Sequence, residues 1–460
     1  MKTRGLCFVL ATAACGWGQI GGRGAAGRGF QGPAILSRGY GSLGRSVGAP
    51  LAFRPFVGVN TFYRTGLTAV STDDMGQFRD QKDYGLMASL GAYLHHLGNH
   101  KTVSLDYATQ LRYHRRYSYF FGNDHFLALR YQQQLSARTS YFLSLSGTTF
   151  ANGFGRGGSS LDGSPDQSLG FGFGNFGFVL HDPSQQVFDA RVYGLSANAG
   201  MAYQKSARWV FAMAGGSYMT RFQSQALTGS QGYRASGSAS YVLGERSTIG
   251  VQYGFGHTAF RGAYGGLDSH QVGLHFSRAL GPRWNFSTSA GVFQSEVTRL
   301  VTTALDPLIA RLLGTAVQVQ PFYRRNYGVA GSASLSRSFE RSSLSLHYMR
   351  GVTPGNGVVN GAQRDRFAAG YTYSALRDLS IGANAGLDRH KSLFDSGARY
   401  HSYSVGAGTS YRLFAFVHAT VRVDYRRFEL TLSQFSRNQL SASGGLSISY
   451  SPGEIPLSLW

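Results

Sequence analysis

Charge is scarce in this chain of 460 residues: Asp, Glu, Lys and Arg make up 14% of it, where an ordinary soluble domain carries about a quarter. Each charged side chain is therefore worth placing. Arg422, Asp424 and Arg426 are spaced two apart, which in an extended chain puts all three on one face. Asp106 and Arg112 share a parity in the same way, and Arg130 and Arg366 fall on the polar parity of their own segments. A strip of fixed guanidinium groups draws anions. The plainer use of such groups is to neutralise a neighbouring carboxylate, and Arg422 beside Asp424 suits that use equally well. Asp162, Asp166 and Asp182 accompany a Gly-aromatic run, Phe171 to Phe178, and supply an acidic rim if that stretch folds toward the arginines.

Hydrolytic chemistry has thinner support. Asp73-Asp74 and Asp388-Arg389-His390 offer carboxylates and an imidazole, and a His oriented by an Asp can activate water. Pairs this short arise by chance, so no catalytic residue is assigned. The 13 histidines show no metal-ligand spacing and the two cysteines, Cys7 and Cys15, both lie near the N-terminus. Neither a metal nor a cofactor is expected.

The elements that would position these residues are strands. In Val103–Tyr113 the odd positions are mostly apolar and the even ones read Ser, Asp, Ala, Gln, Arg. Val417–Tyr425 and Leu440–Tyr450 repeat the alternation. Segments of about 9–11 residues with one apolar and one polar face mark strands of a membrane barrel. Eighteen such segments can be counted, with short turns such as 95–100, 136–139 and 205–208 alternating with longer loops such as 64–82, 152–186 and 298–326. Two features separate this from a soluble sandwich, which also alternates. The polar face is made of very small residues, for example Gly328, Ala330, Ser332, Ser334 and Ser336, where a solvated sheet displays charge. Charges of the apolar parity, Asp189, Arg191, Arg278, Arg337, Arg350 and Arg389, gather near segment ends, where a bilayer penalises them least. Trp209, Trp284, Tyr241 and Tyr450 lie beside short turns and Tyr113, Tyr193 and Tyr348 near long loops, as two interfacial aromatic belts.

Composition excludes other classes. Aromatics at 14% and Gly at 63 residues do not fit a charged, aromatic-poor disordered chain, and no apolar run reaches the ~20 residues of a membrane helix. The formal charge is +22, almost all from Arg, but no Lys/Arg run marks a nucleic-acid arm. Lys2, Arg4, the apolar Leu6–Leu10 and Ala11, Ala13 and Ala14 have the layout of a secretory signal peptide. Cys15 could carry a lipid after cleavage, although Thr12 stands where a lipoprotein signal prefers Leu.

From residue 53 to 450 the pattern resembles a bacterial outer-membrane β-barrel of the porin-like kind. The expected fold is all-β, a transmembrane antiparallel up-and-down barrel of about 18 strands. The expected order is a signal peptide (1–19), a Gly/Arg-rich linker or plug (20–52), the barrel (53–450) and a tail (451–460). Two endings are open: Tyr450 closes the barrel, or the segment after Pro452 and Pro456 is a separate feature. The resemblance implies outer-membrane lipids and the barrel-assembly machinery as partners, small hydrophilic solutes as cargo, and compatibility with a homo-oligomer. By loop order, 152–186 corresponds to the loop that folds inward in general porins. Asp306-Pro307 with Gly314 predicts a short helix there in the loop 298–326. The function expected is an outer-membrane channel with a weak anion bias. A non-conducting surface barrel is the alternative, and an omptin-like protease built on Asp73-Asp74 and Asp388/His390 a remote one.

Overall fold

A computed structural model describes residues 51–67, 81–98, 100–115, 122–150, 190–261, 265–304, 311, 317–373, 378–394, 397–414, 416–432, 435–450 and 455–456. The N-terminal segment with both cysteines, the loop 152–186 with Asp162, Asp166 and Asp182, and Asp73-Asp74 lie outside these residues. So does the short helix expected over 306–314, apart from Arg311.

Eighteen long strands follow one another: β1 (Leu51–Leu67), β2 (Gln81–Leu97), β3 (Lys101–His114), β4 (Gly122–Gln134), β5 (Thr139–Phe150), β6 (Val192–Gln204), β7 (Trp209–Phe222), β8 (Gly229–Gly244) and β9 (Ser247–Arg261) form the first half. The second half is β10 (Gly265–Ala279), β11 (Trp284–Ala304), β12 (Val317–Ser338), β13 (Ser342–Gly355), β14 (Asn360–Tyr373), β15 (Leu379–Ser392), β16 (Arg399–Phe414), β17 (Val417–Leu432) and β18 (Phe435–Tyr450). Each pairs antiparallel with the next, and β18 returns to β1 from Val57↔Tyr450 to Arg64↔Ser443. The sheet is a closed barrel. A two-residue β19 (Ile455–Pro456) lies beyond, on Phe53 and Ala52 of β1, so Tyr450 ends the last full strand.

Closure explains why alternation can run so long. Closing the ring pairs the first strand with the last, so no strand is left with a wholly free edge, and parity alone decides which face a residue takes. Val59, Leu90, Leu111, Leu195, Val251, Leu274, Val423 and Ile448 all stand exposed on the outer wall, while Ser240, Ser289, Ser332, Ser410 and Ser449 are buried on the inner one. A soluble sandwich would bury the first set. The outer wall is instead an apolar band, edged at its short-turn end by Trp209 against Tyr241 and by Arg337 over the Trp284 ring at 4.6 Å.

Two of the short turns are built alike. In Ser136–Thr139 and Ser206–Trp209 the first Ser Oγ accepts from the backbone N–H of the third and fourth residues. These sequences read Ser-Ala-Arg-Thr and Ser-Ala-Arg-Trp, so one local device reverses the chain twice.

Two regions depart from the sequence reading. Most of the expected loop 298–326 is strand, since β11 runs to Ala304 and β12 starts at Val317, giving lengths of 21 and 22 residues. Val317-Gln318-Val319-Gln320 keeps period 2, which is why it stays extended. The second departure is at the long-loop mouth, where β13, β14 and β15 curl inward.

Candidate functional site

The inner wall is lined largely by small polar residues, with charges set among them. Hydroxyls pair across strands: Ser146 with Ser196, Ser287 with Ser334, and Ser289 with Ser332, each at 2.7 Å. Each hydroxyl satisfies the other, as buried polar groups require.

The inner charges are more numerous toward the long loops, while Asp106, Arg130 and Arg422 lie nearer the short turns. Arg422, Asp424 and Arg426 all project inward from β17, where Val421, Val423 and Tyr425 point out. Arg422 donates through Nε to Asp424 Oδ2 at 2.6 Å and through Nη2 to Asn384 Oδ1 at 3.2 Å. Arg426 donates to the buried Tyr400 hydroxyl. Arg112 also points inward, and its Nη2 meets both oxygens of Asp124 on β4, at 2.7 and 2.6 Å. Asp106 and Arg130 share the inner face of β3 and β4, with Asp106 buried. Arg366 is on the inner face of β14, in register with Asp388.

Several inner charges were not singled out from the sequence. Arg364 is fully buried and grips Asp388, with Nε to Oδ1 at 2.8 Å. His390 Nε2 lies 3.0 Å from the same Oδ1. Arg234 donates to Asn198 Oδ1 at 2.8 Å, and Arg64, Asp83 and His114 line the wall where β1, β2 and β3 meet the mouth. Parity could have found Arg364, which is two residues from Arg366; Asp124 needed the β3–β4 register. Asp388 and His390 lie near the long-loop end of β15 with their side chains on the inner face, and the carboxylate is committed to Arg364. Among the described residues no group of three or more His, Cys, Asp or Glu gathers as a metal site would require.

The mouth is crossed by chain. The β13–β14 turn reaches the β7–β8 turn, six strands away around the ring, where Thr228 N–H donates to Gly357 O at 3.0 Å. Its glycines are needed: Gly355 and Gly357 have φ of 103° and 88°, the region other residues avoid. Asn356 Oδ1 holds the turn by accepting from Val358 and Val359 N–H. On one side Val358, Val359 and Ala362 pack with Leu227, Tyr400, Phe428 and Leu430. On the other, Val352, Leu393 and Phe394 pack on Phe260, Leu267, Phe293 and Val297 of β9–β11. The loop 152–186, expected to fold inward, lies outside the described residues; among those described, this corner packs against the inner wall.

No protein-family model matches the chain, and no curated protein matches it. Among solved structures it is similar to the unliganded ferric citrate transporter FecA, at 11% identity over 81% of this chain and 60% of that one, with a TM-score of 0.41. It is also similar to Pseudomonas aeruginosa OccK2 (OpdF), at 11% identity over 88% and 98% with a TM-score of 0.40. A BenF-like porin from Pseudomonas fluorescens Pf-5 gives 10% identity over 88% and 99%, with a TM-score of 0.41. The chain spans less than two thirds of the transporter's length and nearly all of either porin's. The architecture rests on the chain's own ring of paired strands and its exposed apolar outer face: it is a transmembrane antiparallel up-and-down β-barrel of eighteen strands.

Proposed function

We propose that the protein is a channel of the bacterial outer membrane that passes small hydrophilic solutes and weakly favours anions. One observation carries the reading: a closed ring of eighteen strands turns its apolar face outward and its polar and charged face inward. Barrels of 16–18 strands are wide enough for an aqueous lumen. The bias follows from the inner charges. Arg64, Arg112, Arg130, Arg234, Arg364, Arg366, Arg422 and Arg426 outnumber Asp83, Asp106, Asp124, Asp388 and Asp424 on the described inner wall. Local pairing cancels part of that excess, which is why the preference is weak.

Purified protein in a planar bilayer should give discrete conductance steps. In a salt gradient the reversal potential should carry the sign of anion permeation and should move toward zero in an Arg366→Gln/Arg426→Gln variant. A cation-selective reversal potential would overturn the bias.

A second reading, a non-conducting surface barrel, draws support from the corner that crosses the mouth. Replacing residues 352–361 with a short Gly-Ser turn separates the two. Silence from both the full chain and the shortened one would remove the channel reading and leave the surface barrel.

A further inference from the structure

The seam between β12 and β13 is incomplete. Pairing there spans only Gly331–Ser338 against Ser343–Arg350, although β12 continues upward to Val317 paired with β11. From Phe322 to Ala330, β12 has a described strand on one side only. Gly331 pairs with Ala290, six residues above Trp284. At ~3.4 Å per residue and a tilt of ~40°, the seam parts about 15 Å up an apolar band about 25 Å tall. An open sheet edge at that depth is not tolerated against lipid, because acyl chains cannot satisfy backbone N–H and C=O groups.

The residues of β13 and β15 explain where the missing partner went. On β13, Leu344, Leu346, Tyr348 and Arg350 have the outward parity, and Val352 continues it. On β15, Leu387, Arg389 and Lys391 stand exposed and Leu393 continues that parity. Yet Val352 is 1% exposed and packs with Leu393 against Phe260, Leu267, Phe293 and Val297, which face inward from the neighbouring wall. The outward face of the β13–β15 corner therefore lies against the inward face of β9–β12, like one shingle tucked behind another.

The same chain has another arrangement open to it. Continuing the register past Gly331↔Arg350 sets Ala330 opposite Gly351, Val329 opposite Val352 and Gly328 opposite Thr353. Val352 would then stand outward beside Val329, which is itself 58% exposed, and Thr353 would face inward beside a glycine. Pro354, with no N–H, ends the zipper. Gly351 suits a pivot, since a Cβ there would meet nothing within 4 Å.

We propose that the β13–β15 corner is a flap that shuts the mouth by parting from β12, and that re-pairing of Gly351–Thr353 with Gly328–Ala330 swings it back into the wall and opens the lumen. The proposal rests on the channel reading. Closing buries Val352 and Leu393 against the β9–β11 inner wall; opening restores partners to the lower part of the β12 edge. The two arrangements exchange apolar burial of Val352 and Leu393 for backbone hydrogen bonds along β12.

The test uses the full chain with Cys7 and Cys15 changed to Ser. Val329→Cys/Val352→Cys joins residues that face each other only in the re-paired register. Leu335→Cys/Leu346→Cys joins an outward pair already in register and serves as control. Under mild oxidation both pairs should cross-link in the bilayer. The first should raise conductance several-fold, reversed by reductant, and the second should leave it unchanged. Failure of the first pair to cross-link where the control does, or cross-linking without a rise, overturns the flap. If neither the cross-linked protein nor the chain shortened at 352–361 conducts, the channel reading itself falls, and the gate with it. If the shortened chain conducts and the cross-link has no effect, only the flap falls.

Discussion

Two seams of this barrel pair over the same number of residues and behave differently. Between β18 and β1, direct pairing covers Val57–Arg64; between β12 and β13 it covers Gly331–Ser338. The first seam is fastened beyond its pairs. Thr65 Oγ1 accepts from Ala442 N–H at 2.9 Å, Gln439 Nε2 donates to Gly66 O at 2.5 Å, and Ile455–Pro456 lies across the other end of β1. Past the last pair of the second seam, Asn326 Nδ2 on β12 donates to Leu393 O at 3.5 Å, just beyond β15 rather than on β13, and the two paired strands diverge. Ladder length alone does not set the strength of a joint; side chains that carry the hydrogen bonding past the last pair do.

The contrast can be broken most directly with valine. A Cβ on Gly445, in the closing seam, would fall 2.7 Å from Thr61 O. Gly445→Val should cost about 1–3 kcal/mol, read as a lowered urea midpoint in bilayers, whereas Gly351→Val, with open space around it, should leave the midpoint in place. Equal losses would abolish the distinction between the seams. Thr65→Val is isosteric and removes the acceptor of Ala442 N–H; about 1–2 kcal/mol should be lost. Smallest is Arg350→Ala, at the point of parting, whose ion pair with Asp365 at 3.5 Å is partly exposed. Exposed pairs contribute at most about 1 kcal/mol, so stability should barely change, and a larger drop would show that Arg350 fastens the second seam after all.

The sequence revealed the ring because parity is local: each of the eighteen expected segments coincides with a strand. The same logic made Arg422 and Asp424 legible, since they are two residues apart on one strand. It could not reveal Arg112 with Asp124, because that contact depends on the β3–β4 register. Nor could it reveal the flap. Val352 and Leu393 have the parity of lipid-facing residues, and that parity is kept; what changed is the surface in front of them. Alternation reports which side of a strand a residue occupies, and says nothing of a strand that bends away from its neighbours. The ends of β11 and β12 show a related limit, because a length prior for loops was preferred over an alternation that continued.

The pairing of β1 with β18 and β19 has a consequence for biogenesis. Tyr63 must meet Gly444, and Phe53 must meet Ile455, so the first strand to arrive is completed by the last. Until nearly four hundred intervening residues have been delivered, β1 has only β2 beside it. The ring therefore cannot become a sealed cylinder before its final segment has arrived.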